Sequence, residues 1–418
     1  MEWIDPHFSI QTDTLAPHKP ILQQYQKKSF TPKVAHNVDF ETSHSPGVER
    51  PNLAHISNMS DNLIVSTAGA FASSQNHIVS HLGYVSFKAE KNISSCLTLL
   101  SLLAQKIPAF PLNPKLPDPQ LPIALPHCNA ATLLLTSGTT GTPKIAVHSL
   151  DNHLYATRGI DLTRNDKWLL TLPLFHVSGM AILFRTAVFG ATLVLSELPL
   201  LDAIIQHRIS HISLVPTQLY RLLQEDPHRL AQAKKHLQLI LLGGAPIPKA
   251  LLEEARACAL PIVTTYGMTE TCSFIAIDGV VAPGRTVTLI DGEIGIAGPT
   301  LFQGYLENHA LHLPLQNGYF LTKDLGCWKD ERLSYKGRKD RLFISGGENI
   351  QPEEIEAILT QLTRGKARVI PIECPEFGMR PFAFLEYPDA LCIKKLRSLL
   401  PQFKVPVGFQ PLLEPLPK

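Results

Sequence analysis

The 418-residue sequence predicts an α/β fold: a large amino-terminal domain of mostly parallel sheets covered by helices, joined by a hinge to a small α+β carboxyl-terminal domain. Three observations carry this expectation. Hydrophobic residues make up 44% of the chain, enough for two or three cores. Short apolar runs alternate with helical patterns through the middle. Composition changes after Asp324, where a charged and then glycine-rich stretch precedes a compact mixed pattern. The expected division is 1–337 for the large domain and 338–418 for the small one, of about 80 residues.

Residues 1–60 are polar, rich in His, Pro and Ser, and weakly patterned, so no element is assigned there. They show no basic stretch followed by an apolar one, the mark of a secretory signal. From Asn62 to Pro126, apolar segments such as Leu97–Leu103 alternate with proline-rich connections, which suits strands and helices joined by turns. Ala131–Leu135 and Ile145–Val147 read as strands around a Gly/Thr loop, and Ser149 can cap a helix through Tyr155. Further on, His211–Val215, Leu239–Leu242 and Ile262–Thr265 read as strands, with helices over Gln218–Gln224 and Pro248–Cys258. Such alternation implies a largely parallel sheet with ligands at the carboxyl ends of its strands. The last part reads as helix Pro352–Ile358, strands Ala367–Ile372 and Phe382–Tyr387, and helix Ile393–Leu400.

Charge and cysteine content exclude several functions. Lys plus Arg (38) nearly balances Asp plus Glu (36), so no global field recruits nucleic acid or an acidic membrane. The seven cysteines are scattered, and neither a disulfide framework nor a zinc site follows from their spacing. Buried, reduced thiols are expected instead. The longest apolar stretch, Met180–Leu195, is broken by Arg185 and falls short of the ~20 residues a membrane span needs. A soluble, cytoplasmic protein without membrane insertion is expected, with a homodimer as the candidate assembly.

The strongest local signal is Thr136-Ser-Gly-Thr-Thr-Gly-Thr-Pro-Lys144. Thr136, Ser137, Gly138, Thr139, Thr140 and Gly141 offer unencumbered amides and hydroxyls that can wrap phosphates, and Lys144 adds charge. It is not a Walker A loop, because Pro143 separates the glycine from the lysine.

With the motifs that follow, the chain resembles the adenylate-forming superfamily of acyl-CoA synthetases. Tyr266-Gly-Met-Thr-Glu-Thr271, containing Gly267 and Met268, is similar to the family's adenine and magnesium motif. There the resemblance implies that Glu270 holds Mg²⁺ and Thr269 contacts phosphate. Gly243, Gly244 and Ala245 resemble the loop against adenine, and Asp324 the aspartate that binds ribose, with Arg338 near it. Lys339 and Asp340 resemble the interdomain hinge, and Gly346, Gly347 and Glu348 the loop that forms the coenzyme A tunnel. Leu172-Pro-Leu-Phe-His-Val-Ser-Gly179 is similar to the acyl-pocket motif, which implies roles for His176 and Ser178 beside the carboxylate; taken alone, His176 is equally a core histidine.

The resemblance implies an acid–thiol ligase using ATP, Mg²⁺ and coenzyme A, with catalytic roles for His176, Lys144 and Glu270. Leu172–Leu183, His211–Leu219, Leu241–Pro248 and Gly346–Ile350 look most like the o-succinylbenzoate:CoA ligases of menaquinone biosynthesis. That acid carries a second carboxylate, and Arg185 is the candidate cation for it, alongside Gly244 at the acyl site; the alternative is that Arg185 snorkels to the surface. Other readings are a ligase for another aryl or short-chain acid, and a nucleotide-binding homologue with weak adenylation. Leu400–Pro406 and Leu416-Pro-Lys418 resemble the approach to the family's closing Gly-Lys motif, and the sequence stops before that lysine. A truncated sequence, a shortened protein and a substitute cation are the alternatives; loss of the group is expected to slow adenylation while affecting thioesterification less.

Overall fold

The computed structural model describes residues 3–13, 83–116, 124–136, 144–345, 348–374, 376–388 and 391–412. The expectations for residues 14–82, Ser137–Pro143, Gly346, Gly347 and the last six residues lie outside them.

Strands built from Val, Ile and Leu form an eight-stranded sheet in the order Ser9–Thr12, Thr192–Leu195, Lys167–Leu169, His211–Leu214, Leu239–Leu242, Ile262–Met268, Ser273–Ile277, Val280–Val281. The first six are mutually parallel. The last two are antiparallel. The central strands His211–Leu214 and Leu239–Leu242 are buried on both faces, which is why they read as unbroken apolar runs. Helix Val177–Phe189 covers one face and is buried around most of its circumference. Helices Leu200–His207 and Pro216–Leu223 cover the other with Leu201, Ile204, Leu219 and Leu222.

A second sheet orders Ala310–His312, Gly304–Glu307, Lys144–His148, Thr132–Thr136, Ala109–Leu112 and Val85–Lys88. Helix Ile93–Ala104 joins its parallel strands and shares one core with Trp168, Phe184 and Leu193 of the first sheet. Strands stand on both sides of the Gly/Thr loop as expected, and they pair antiparallel, with Thr136 opposite Lys144. Ser149 caps the next helix as expected: its hydroxyl accepts from Asn152 N (3.1 Å), and Asn152 Oδ1 accepts from Ser149 N (2.8 Å).

Strands Thr286–Ile290, Glu293–Ala297, Leu315–Gln316 and Arg332–Arg338 form a third, antiparallel sheet around the long strand Tyr319–Lys329. A fourth sheet, Phe343–Ser345, Glu348–Ile350, Ala367–Cys374, Gly378–Leu385 and Phe409–Pro411, packs its own core of Ile355, Leu359, Val369, Leu385 and Leu396 against helices Pro352–Thr363 and Leu391–Leu399. Among the described residues no helix is long and apolar enough to cross a membrane.

Candidate active site

Strand Ile262–Met268 ends in the tight turn Thr269–Thr271 that presents Glu270. Gly267 is required by a close approach: a Cβ there would stand 2.1 Å from the Ser273 carbonyl oxygen of the next strand. The turn is tied on both sides, since Phe302 N donates to Glu270 O (2.8 Å) and His148 Nε2 lies 2.8 Å from Thr269 O.

Glu270 is buried, and its Oε1 accepts from the Tyr305 hydroxyl at 2.7 Å. Burial raises its pKa, and the Tyr305 hydrogen bond only partly opposes this. Lys144 Nζ stands 4.6 Å over the same Tyr305 ring and 3.2 Å from Glu307 Oε1. One tyrosine therefore connects the lysine after the Gly/Thr loop to the acid of the Tyr266–Thr271 motif.

On the other flank, Asp324 is buried and accepts from Tyr266 Oη (2.7 Å) and Arg338 Nη1 (3.0 Å). Burial raises its pKa, with the tyrosine and arginine pulling the other way. Arg338 also reaches Asp340 (2.8 Å) and the Thr322 carbonyl (3.0 Å). Although burial opposes its charge, those acids raise its pKa and keep it cationic. Glu270 lies within electrostatic reach of both Arg338 and Asp324. Lys339 pairs with the buried Glu293 at 2.8 Å.

Gly243 is buried where a Cβ would strike the Thr265 hydroxyl at 2.1 Å, whereas Gly244 and Ala245 are exposed. His176 is exposed at the amino end of helix Val177–Phe189, which removes its reading as a core histidine. Ser178 lies in the first turn of that helix. Arg185 does not snorkel: it is 2% exposed, its Nη2 donates to Ser273 Oγ (3.1 Å) and Ala156 O (3.4 Å), and its Nε is buried without a partner. Burial and the charge of Arg285 lower its pKa to about 9, so it stays charged at neutral pH. Glu348 is exposed on the small sheet, away from these contacts.

More than half of the chain, residues 85–306, matches the AMP-binding enzyme family. The chain belongs to that family. It is similar to the 2-succinylbenzoate–CoA ligase of Haemophilus influenzae, 39% identical over 307 residues that cover 68% of this chain and 66% of that protein. It is similar to the Escherichia coli protein of the same name at 34% over 353 residues, 72% and 77% of the two chains. Among solved structures, an E. coli MenE variant with bound OSB-AMS superposes with a TM-score of 0.70 at 29% identity, covering 84% of this chain and 88% of that one. The Bacillus subtilis o-succinylbenzoate coenzyme A synthetase in complex with ATP and magnesium ion gives 0.61 at 33%, covering 68% and 66%. The matched segment spans about two thirds of the length of the first relatives, 66% and 63%.

Several residues of this AMP-binding enzyme site were not read from the sequence. Tyr305 and Glu307 sit on a strand with no motif of their own, although Tyr305 is placed opposite Ala146 by strand pairing. Arg285 is buried beside Arg185: both donate to Ala156 O, and both stack on Phe274, at 4.9 and 4.5 Å. Burial lowers the Arg285 pKa to about 10. Among the described residues no carboxylate pairs with either arginine.

Proposed function

We propose that this chain activates a carboxylic acid with ATP as an acyl-adenylate and passes the acyl group to coenzyme A, with 2-succinylbenzoate as the acid. The observation that carries the reading is the bridge through Tyr305, which joins Lys144 to Glu270 beside the Asp324–Arg338 pair.

The residues fit a bound Mg²⁺. Glu270 has one oxygen taken by Tyr305, and burial penalises its charge, a cost that a divalent cation would offset; Mg²⁺ commonly takes only one or two carboxylates besides phosphate oxygens. When bound, the ion neutralises phosphate charge. Asp324 accepts the ribose hydroxyls in place of its present donors, and Lys144 exchanges Glu307 for phosphate oxygens. The substrate carboxylate then attacks the α-phosphorus and pyrophosphate leaves with the electron pair of the broken bond. In the second step the sulfur of coenzyme A attacks the acyl carbon, its thiol proton passes to solvent, and AMP departs with the electron pair of the broken acyl–oxygen bond.

Arg185 supplies the charge for the second carboxylate of the acid, and His176 borders the reacting one. Lys339 and Asp340 form a hinge about which the small domain turns, bringing the loop before Glu348 toward the thiol. The test is thioester formation and pyrophosphate release with 2-succinylbenzoate, benzoate and acetate, each with ATP and Mg²⁺, beside Glu270→Gln. Turnover of 2-succinylbenzoate well above the other acids is expected. Equal use of all three removes the substrate, and no acid-dependent pyrophosphate release removes the reaction.

A further inference from the structure

Behind the turn that presents Glu270, three side chains that the proposed reaction does not use meet in the interior. His148 ends strand Lys144–His148, His153 lies on helix Leu150–Ala156, and Cys272 follows the turn. All three are buried, and one ligand atom from each lies within 4.8 Å of the others.

The hydrogen bonds orient both rings. His148 Nε2 is 2.8 Å from the Thr269 carbonyl, which only accepts, so Nε2 carries the proton and Nδ1 the lone pair. That Nδ1 is buried and without a partner. His153 Nε2 lies 2.7 Å from the Thr132 hydroxyl, leaving Nδ1 as its remaining nitrogen. Metal-binding imidazoles are held in this way, one nitrogen engaged by an outer oxygen and the other presenting its lone pair. A core histidine without a ligand has no such reason to bury a bare nitrogen.

Charge and donor number select the ion. Arg185 donates to Ser273, next to Cys272, and Arg285 shares the Ala156 carbonyl with Arg185. One thiolate and two neutral imidazoles leave a zinc complex with a net positive charge beside two buried guanidiniums, whereas a copper(I) complex is neutral. Structural zinc also takes four ligands, and three soft or borderline donors suit copper(I). We propose that His148, His153 and Cys272 form a buried copper(I) site. The thiol proton leaves to solvent as the copper–sulfur bond forms, no electron is transferred, and the donors close by about 1 Å to reach bonding distance. Because His148 holds Thr269 and Cys272 ends the same turn, the ion braces both ends of the segment that carries Glu270.

The experiment is anaerobic titration of the full chain with copper(I) against bicinchoninate, in a Cys258→Ser background because Cys258 is an exposed free thiol. One retained equivalent is expected, with X-ray absorption showing two nitrogens and one sulfur. Cys272→Ser and His153→Gln should each lose that equivalent while circular dichroism shows them folded, and zinc should bind more weakly. Full retention in Cys272→Ser, a sulfur-only environment, tighter zinc or no retained copper overturns the site. Should the variants not fold, the absorption spectrum of the parent decides. None of these readouts depends on ligase activity.

Discussion

The turn Thr269–Thr271 separates two regions of opposite electrostatic character. On one side the charges are partnered: Glu270 with Tyr305, Lys144 with Glu307, Asp324 with Tyr266 and Arg338. On the other, Arg185 and Arg285 are buried with unpartnered Nε atoms, and His148 carries an unpartnered Nδ1. A partnered site exchanges old contacts for new ones when its ligand arrives, so it is stable while empty. An unpartnered one holds a desolvation cost that only a ligand relieves.

The largest expected effect tests the partnered side. Glu270→Gln should lower acid-dependent pyrophosphate release by roughly 10²–10³-fold, with ATP still bound, measured by single-turnover kinetics. Next comes a test of the unpartnered side. Arg185→Met should raise KM for 2-succinylbenzoate by about 10–100-fold, the worth of a charge-assisted hydrogen bond, and leave KM for ATP nearly unchanged. The same variant should melt at a higher temperature when empty, because an uncompensated buried charge has been removed. A lower Tm with unchanged KM would mean that Arg185 is purely structural.

Acid pH should divide the two regions by sign. Burial lowers the His148 pKa to about 4 from 6.5, so its contribution to stability is present above 6.5 and is lost as pH falls toward 4, by up to roughly 3 kcal/mol. Glu270 and Asp324 are shifted upward, so their contribution is complete below the ordinary carboxylate range and fades as pH rises through their folded values. Melting curves of the parent and of His148→Gln between pH 4 and 7 distinguish these. The affinity for Mg²⁺ and ATP should rise with pH over the carboxylate window, since binding requires the ionised forms. The smallest effect is expected from Lys339→Ala, whose ion pair with Glu293 is surface-exposed on the lysine side. Its Tm should be unchanged, while the ratio of thioester formation to adenylation shifts.

The parallel strands were legible because burial on both faces leaves an uninterrupted apolar run, as at Leu239–Leu242. The antiparallel region was not, because Thr286–Ile290 is only partly buried and lacks an unbroken apolar run. A signal was nevertheless present. Asp278-Gly279, Asp291-Gly292 and Asn317-Gly318 each join paired strands with positive φ at both residues, the conformation that tight hairpins demand. In the site, Glu270 and Asp324 stand inside motifs and could be named, whereas Tyr305 acts only through the pairing of its strand with Lys144–His148. The environment of Cys272 was equally hidden, since spacing along the chain gives no hint of His148 and His153 beside it.

Thr136 and Lys144 face each other as a register pair, so the sheet, not the segment between them, fixes where the proposed phosphate-binding stretch begins and ends. Closure entropy grows only slowly with length, about 0.6 kcal/mol per doubling. Extra residues spliced between these anchors should therefore leave folding nearly untouched. On the proposed function, the composition of that stretch is then free to answer to the nucleotide, so nucleotide preference can be retuned there without a cost in stability.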